Sequence, residues 1–103
     1  MRKVVLLIMI ISNLCTPDSE EFKMLAEVRG VDEKIEVEVI RSQYASGIYL
    51  IITSERTEIL DSNGRKLTRA DISVGDILEI TYGSEVMLSY PPQTVAHKIV
   101  RKK

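Results

Sequence analysis

The chain has 103 residues, with 14 cations, 15 anions, four tyrosines and one phenylalanine. A chain of this length folds as one small domain. Because the charges are balanced and interspersed, no basic surface is expected for a phosphate backbone. Few rings are available to stack on bases, so the composition disfavours nucleic acid as a partner.

Residues 1–15 have the layout of a secretory signal. Arg2 and Lys3 precede an unbroken apolar run at residues 4–11, and small and polar residues follow. The run is shorter than the roughly 20 residues of a permanent membrane-spanning helix. We therefore expect a signal peptide and an extracytoplasmic protein, either secreted or anchored to the outer face of the cell membrane. A buried strand or helix at the N-terminus is the alternative.

Cys15 is the only cysteine, so no intrachain disulfide can form. Its position just after the apolar run makes it a candidate lipidation site, as in a bacterial lipoprotein, and acylation would attach the chain to the membrane. The bulky Leu14 stands where such sites prefer a small residue, so an unmodified thiol is the alternative. Stable anchoring would need two or three acyl chains. Residues 16–22, which are acidic and contain Pro17, are expected to be a linker.

A β-barrel domain is expected over residues 23–103. Residues 34–40 alternate, with Ile35 and Val37 on one face and Glu36 and Glu38 on the other, which is typical of a half-buried strand. The two glutamates are therefore expected to face water and not to act as paired catalytic carboxylates.

Three local patterns then predict how the middle of the chain folds. Residues 48–53 are apolar on both faces, which favours a central strand. Asn63-Gly64 predicts a tight hairpin turn. Thr68 and Asp71 have the spacing of a capping box on one helical turn.

The last third of the chain predicts further strands. Gly75-Asp76 indicates a reversal into a strand at residues 77–82, and Gly83-Ser84 indicates a second turn into a strand at residues 86–90. Pro91-Pro92 should end that strand, and residues 94–100 form the last one. The expected fold is all-β: a small five- to six-stranded OB-like barrel or rolled antiparallel sheet.

A set of residues in the second half of the chain carries a family resemblance. It comprises Asp61, Asn63, Gly64, Ser73, Val74, Gly75, Asp76, Ile80, Thr81, Tyr82, Gly83, Ser89, Tyr90, Pro91, Pro92, Gln93, Ala96 and Ile99. The pattern resembles the YobA-like domain-of-unknown-function family of small exported proteins and lipoproteins from Gram-positive bacteria, over residues 24–100. Its most specific part is residues 89–93. The resemblance implies export, and it implies no catalytic residues because that family has no established activity.

No group of residues predicts catalysis, a metal or a cofactor. His97 is the only histidine, and no second histidine or cysteine lies near it in the sequence to complete a metal site. Nothing directs His97 toward Ser84 or Ser89 as a catalytic base would require, and there is no glycine-rich phosphate loop. We therefore do not expect an enzyme.

The candidate ligand-binding rim is formed by Tyr82, Tyr90, Pro91, Pro92 and Gln93. The two rings are flat and amphipathic, the prolines set a rigid path and the glutamine supplies an amide. Such a rim would suit a peptide or a sugar of the cell envelope. The alternative is that Tyr90 and the prolines hold the chain where it crosses the barrel end.

Two functions follow from these patterns. The first is a non-enzymatic, exported binding module at the cell envelope, with an envelope glycan or an envelope protein as its partner. The second is a structural or assembly protein that pairs a sheet edge with a partner protein. The sequence indicates neither the ligand nor the oligomeric state.

Overall fold

The computed structural model describes residues 21–102, so the expected signal peptide and Cys15 lie outside the described residues. The elements are β1 (Glu21–Val31), β2 (Ile35–Ser42), β3 (Ile48–Ile52), β4 (Glu58–Asp61), a 3₁₀ helix (Arg69–Asp71), β5 (Ile77–Met87) and β6 (Gln93–Arg101). β1 begins two residues earlier than expected, so Glu21 and Phe22 belong to the barrel and not to the linker.

Five of the six strands close into a ring. β1 pairs antiparallel with β2 and β5, β2 pairs with β3, and β5 pairs with β6. A parallel pairing of β3 with β6 completes the ring, and β4 lies outside it, parallel to β6. The expected small OB-like barrel is thus confirmed, although the sheet is mixed and not wholly antiparallel.

The interior of the ring is filled by the inward face of each strand. Met24, Ala26 and Val28 alternate along β1, and Leu78 and Ile80 face them from β5. β2, β3 and β6 contribute further fully buried side chains, namely Ile35, Val37, Ile51, Ala96 and Ile99. The period-two pattern of the sequence therefore becomes the core, since alternate residues of a strand point to the same side.

The charged residues of the alternating segment at residues 34–40 lie on the outer face of the barrel. Glu36 is exposed, and Glu38 accepts a hydrogen bond from Arg29 of β1. β3 lies between β2 and β6, which confirms its expected central position.

The turns use short polar side chains as expected. Gly64 takes a φ of 87° and donates from its N–H to the Asp61 carbonyl, while Asn63 keeps a negative φ. Asp71 Oδ2 accepts from the Thr68 N–H at 2.8 Å and from Thr68 Oγ1 at 3.2 Å. The predicted hairpin turn and the predicted Thr68–Asp71 pairing are both confirmed.

The predicted turn at Gly83-Ser84 is wrong, because β5 runs unbroken to Met87. The pairing of β5 with β6 slips between Tyr82 and Val86, which marks a bulge. Glycine in a strand often marks a bulge and not a reversal. The reversal instead falls at residues 88–92, which we call the β5–β6 loop.

No helix among residues 21–102 is long and apolar enough to cross a membrane.

Candidate functional site

The open end of the barrel at the start of β1 contains a cleft with a volume of about 540 Å³. We call it the mouth cleft, and its lining residues are Phe22, Tyr44, Tyr49, Tyr82, Gly83, Ser84, Val86 and Leu88. Four of the chain's five aromatic side chains therefore meet at one place. The volume lies within the range of about 300–1,000 Å³ that is usual for small-ligand sites.

Strand geometry brings three of these rings together. Phe22 precedes Met24 on the inward face of β1 and lies opposite Tyr82 of β5 in the antiparallel pairing. The ring centroids of Phe22 and Tyr82 are 5.8 Å apart, at an angle of 42°. Tyr49 precedes the buried Ile51 by two residues on β3, so it points to the same interior. The rings are the last inward layer of the barrel.

Tyr44 closes the cleft from the loop between β2 and β3. Its ring meets the Phe22 ring edge-on, with centroids 5.2 Å apart and an angle of 81°. Ser42 Oγ accepts the N–H of Tyr44 at 3.4 Å and that of Ala45 at 3.3 Å, and it donates to the Lys23 carbonyl at 3.1 Å. The serine thus fixes the loop to β1, while Tyr44 itself stays 68% exposed and forms the outer wall.

The cleft is uncharged but offers hydroxyl groups. Burial raises the pKa of Tyr49, and the neighbouring Tyr82 raises it further, so the Tyr49 hydroxyl keeps its proton at neutral pH. Within residues 21–102 neither of these two hydroxyls forms a hydrogen bond to another residue. Among the described residues that line the cleft, none carries a carboxylate, imidazole or thiol. The arrangement can therefore stack against a ligand and form hydrogen bonds with it.

The structure does not bring the predicted rim together. Tyr82 is only 3% exposed and lies inside the mouth cleft, whereas Tyr90 is fully exposed in the β5–β6 loop and does not line the cleft. A ring with its whole surface in solvent cannot hold the chain in place, so the alternative role expected for Tyr90 is wrong. Tyr90 is a free surface side chain.

The other rim residues hold the β5–β6 loop. Gln93 accepts from Lys34 Nζ at 2.8 Å and donates to Ser89 Oγ at 3.3 Å, which leaves its amide engaged within the protein. Pro91 and Pro92 are half-buried, and the Pro92 carbonyl accepts the Leu50 N–H of β3 at 2.9 Å. The expected structural role of the proline segment therefore has contacts to support it.

His97 lies beside β1, outside the cleft lining. Its Nδ1 is 3.4 Å from Glu21 Oε2, and both side chains are about half-exposed. A Cβ atom on Gly83 would come within 3.1 Å of the His97 ring, so the glycine leaves room for the imidazole. Among residues 21–102 no group of three or more histidine, cysteine or acidic side chains is placed to hold a metal ion.

A second, wider groove of about 830 Å³ runs along the loop between β1 and β2. Its charged lining residues are Asp32, Glu33, Lys34 and Glu36. The one cation among them is already bonded to Gln93. Among its described lining residues, Val31 and Leu50 are apolar and none is aromatic, so the groove lacks the rings that distinguish the mouth cleft.

Comparisons of the chain with protein-family models, with curated proteins and with solved structures give no match. The class of protein is accordingly defined by the fold itself: a small mixed β-barrel with an aromatic cleft at one open end. The resemblance to the YobA-like family stays a prediction.

Sequence reasoning missed Phe22, Tyr44 and Tyr49 as members of a site. The sequence contains a signal for two of them. Phe22 and Tyr49 each lie two residues before a core residue, Met24 and Ile51, so strand alternation places them on the inward face. Alternation along a strand shows that a ring points into the barrel. Only the pairing of β1 with β5 shows that Phe22 and Tyr82 lie next to each other there.

Proposed function

We propose that the protein is an exported, non-enzymatic β-barrel module of the cell envelope that binds a glycan through the mouth cleft. The convergence of Phe22, Tyr44, Tyr49 and Tyr82 on one open cleft carries this proposal. A soluble domain gains stability by burying such rings completely, so four rings around an open cavity favour a binding role.

The chemistry of the lining favours a sugar over a charged ligand. Aromatic faces pack against the C–H surface of a sugar ring, and the tyrosine hydroxyls can bond to its hydroxyl groups. Within the described lining no side chain is charged, so an anionic or cationic ligand would lose its hydration without a counter-ion. Oligosaccharides are among the known ligands of OB-type barrels, although those sites use a different face.

Export is supported by the N-terminal sequence. Arg2 and Lys3 before the apolar run indicate a signal, and acylation of Cys15 would keep the domain at the outer membrane face. A protein in that location meets envelope glycans directly.

Binding should depend on the rings of the cleft and not on Tyr90 of the β5–β6 loop. We expect Tyr44→Ala to weaken binding of an envelope-glycan fragment about tenfold, because the ring forms the outer wall of the cleft and truncation of a contact ring costs roughly 1–3 kcal/mol. Titration calorimetry with soluble cell-wall oligosaccharides measures this. Tyr44 is largely exposed, so the fold should be retained.

Tyr90→Ala is the matched control, since it removes an exposed tyrosine outside the cleft. We expect it to leave both glycan affinity and melting temperature unchanged. Loss of affinity in Tyr90→Ala with none in Tyr44→Ala would move the site to the β5–β6 loop. No heat of binding with any wall oligosaccharide, together with retention of a peptide, would favour an envelope protein as the partner.

A sheet-edge assembly role remains the second candidate. One observation favours it: the β1 pairing ends at Glu21 with Gly83, so the Ser84–Met87 part of β5 has no β1 partner within the described residues. The outer edge of β4 is less suitable, because Leu67 N–H and Arg65 C=O already bond to it. Sedimentation velocity of the wild-type domain with and without an envelope extract distinguishes assembly from glycan binding.

A further inference from the structure

We infer that the β5–β6 loop lies on a lipid bilayer, with Leu88 and Tyr90 in the zone between headgroups and acyl chains. This assigns to the barrel a membrane-facing end. It rests on the envelope location in the proposed function, but not on any ligand of the mouth cleft.

Exposed apolar side chains are concentrated where β5 ends and the β5–β6 loop begins. Leu88 is 97% exposed, Tyr90 is fully exposed and Met87 is half-exposed, and the three lie within four consecutive residues. Tyr44 adds a further exposed ring, and it shares the cleft lining with Leu88, so the group is continuous across the barrel end. Contiguous exposed apolar side chains mark a contact surface.

The composition of this surface fits a bilayer interface. Tyrosine is enriched at the level of the headgroups, where its ring is in contact with apolar chains and its hydroxyl with water. Charges of both signs flank the loop, with Glu85 on β5 before it and Lys34 bonded to Gln93 after it. The contact is therefore expected to be apolar and to need no anionic lipid.

The proposed attachment point at Cys15 indicates that the surface in contact with this loop is a lipid bilayer. β1 begins at Glu21, which pairs with Gly83 at the same end of the barrel as the loop. From Cys15 to Glu21 the chain can span at most about 20 Å, and β5 extends about 13 Å from Gly83 to Met87. A membrane attachment at Cys15 thus keeps the bilayer within reach of Leu88.

The turn before β5, at the other end of that strand from Leu88, provides an exposed control residue. Val74 is 65% exposed and lies in the turn whose Gly75 N–H bonds to the Val28 carbonyl. Val28 is about 23 Å along β1 from Glu21. Val74 should therefore stay in water when Leu88 contacts lipid.

The absence of tryptophan from the chain permits a direct measurement of depth. Leu88→Trp and Val74→Trp are prepared in the full chain, with Cys15 intact, and are mixed with phosphatidylcholine vesicles that contain brominated acyl chains. We expect a blue shift and strong quenching for Leu88→Trp, and neither for Val74→Trp. Partition of the Leu88→Ser, Tyr90→Ser double variant into unbrominated vesicles should be about tenfold weaker than wild type, with Val74→Ser unchanged.

Each contrary result overturns the inference. It fails if Leu88→Trp is not quenched, if both tryptophans are quenched equally, or if the full chain does not bind vesicles. It also fails if the double serine variant partitions like wild type while its melting temperature is normal. Glycan binding is measured without vesicles, so its success or failure is independent of these outcomes.

Discussion

Two aspartates organise the loops around β4 and the 3₁₀ helix. Asp61 Oδ1 accepts the N–H groups of Asn63 at 2.8 Å and Arg65 at 2.9 Å, and Asp71 Oδ2 accepts the Thr68 N–H at 2.8 Å. The Arg65 backbone bond holds the pKa of Asp61 below its usual range, and the Thr68 backbone bond does the same for Asp71. Each carboxylate therefore stabilises the folded state only while it is ionised.

The pH dependence of stability follows from the direction of these shifts. A folded-state pKa below the unfolded value of about 3.9 means that the contribution is complete above that value and is lost as the pH falls through the folded-state pKa. We expect the urea midpoint of Asp61→Asn to fall at pH 7 and to differ less between pH 7 and pH 3 than the wild-type midpoint does.

Glu55→Gln is the control for Asp61→Asn, because Glu55 is an exposed carboxylate that makes no side-chain hydrogen bond within the described residues. It should reproduce neither change. An Asp61→Asn variant with the full wild-type difference between the two pH values would show that these bonds contribute no linked stability.

For individual residues, the sequence predicted a contact correctly where the two partners are close together in the chain. Thr68 and Asp71 are three residues apart, and their spacing alone predicted the pairing. Tyr82 and Tyr90 looked equivalent, yet one is buried and the other is free. Their difference comes from the strand pairing of Tyr82 with Phe22, which local spacing does not contain.

At the level of the strands, the pairing of β5 with β1 depends on the turn that precedes β5. Gly75 takes a φ of 97°, and Gly75 N–H and Asp76 C=O bond to Val28 of β1, both at 2.9 Å. The turn therefore sets the pairing between the two longest strands. A side chain at position 75 would meet no neighbouring atom, so the conformation alone requires glycine there.

We expect Gly75→Ala to lower the free energy of unfolding by about 1–2 kcal/mol, the cost of a Cβ in the left-handed region. For a domain of this size the melting temperature should fall by about 4–8 °C per kcal/mol, which thermal circular dichroism measures. Gly30→Ala is the control, because Gly30 has no positive φ and its Cβ would lie 3.7 Å from Glu36, an ordinary contact. Equal losses in the two variants would contradict the conformational argument.

The wrong prediction for β5 has a physical explanation. Gly83-Ser84 has turn composition, and a two-residue turn and a bulge place similar demands on local residues. The outcome is decided by pairing on both sides, since Gly83 lies opposite Glu21 and the Thr94 hydroxyl donates to the Glu85 carbonyl at 3.0 Å. Glu21 is far from Gly83 in the sequence, and the contact with Thr94 forms only once β6 has paired with β5.

For the molecule as a whole, closure depends on a short parallel contact. β3 joins β6 only through Leu50, Ile51 and Ile52 opposite Gln93, Thr94 and Val95. Ile51 and Thr94 are both buried at this junction. The two strands are about 40 residues apart in the chain, so alternation predicted each strand but could not predict that they meet.

Ile51→Ala should therefore destabilise the entire barrel. Loss of a fully buried isoleucine costs about 2–5 kcal/mol, a large part of the 5–15 kcal/mol typical of a domain, and chemical denaturation monitored by circular dichroism measures it. Ile40→Ala on the outer face of β2, where the side chain is half-exposed, should cost less than about 1 kcal/mol. A similar cost for both would show that the junction does not hold the ring closed.

The position of β4 outside the five-stranded ring has a practical consequence. Asp61, its last residue, pairs with Arg101, which lies opposite Leu78 near the start of β5, so the turn at residues 61–64 is at the far end from the aromatic cavity. Its tip at Ser62, Asn63 and Gly64 is exposed to water. An affinity tag or fluorescent protein inserted into that tip would therefore lie away from the mouth cleft and the β5–β6 loop, and it would leave both accessible in a binding assay.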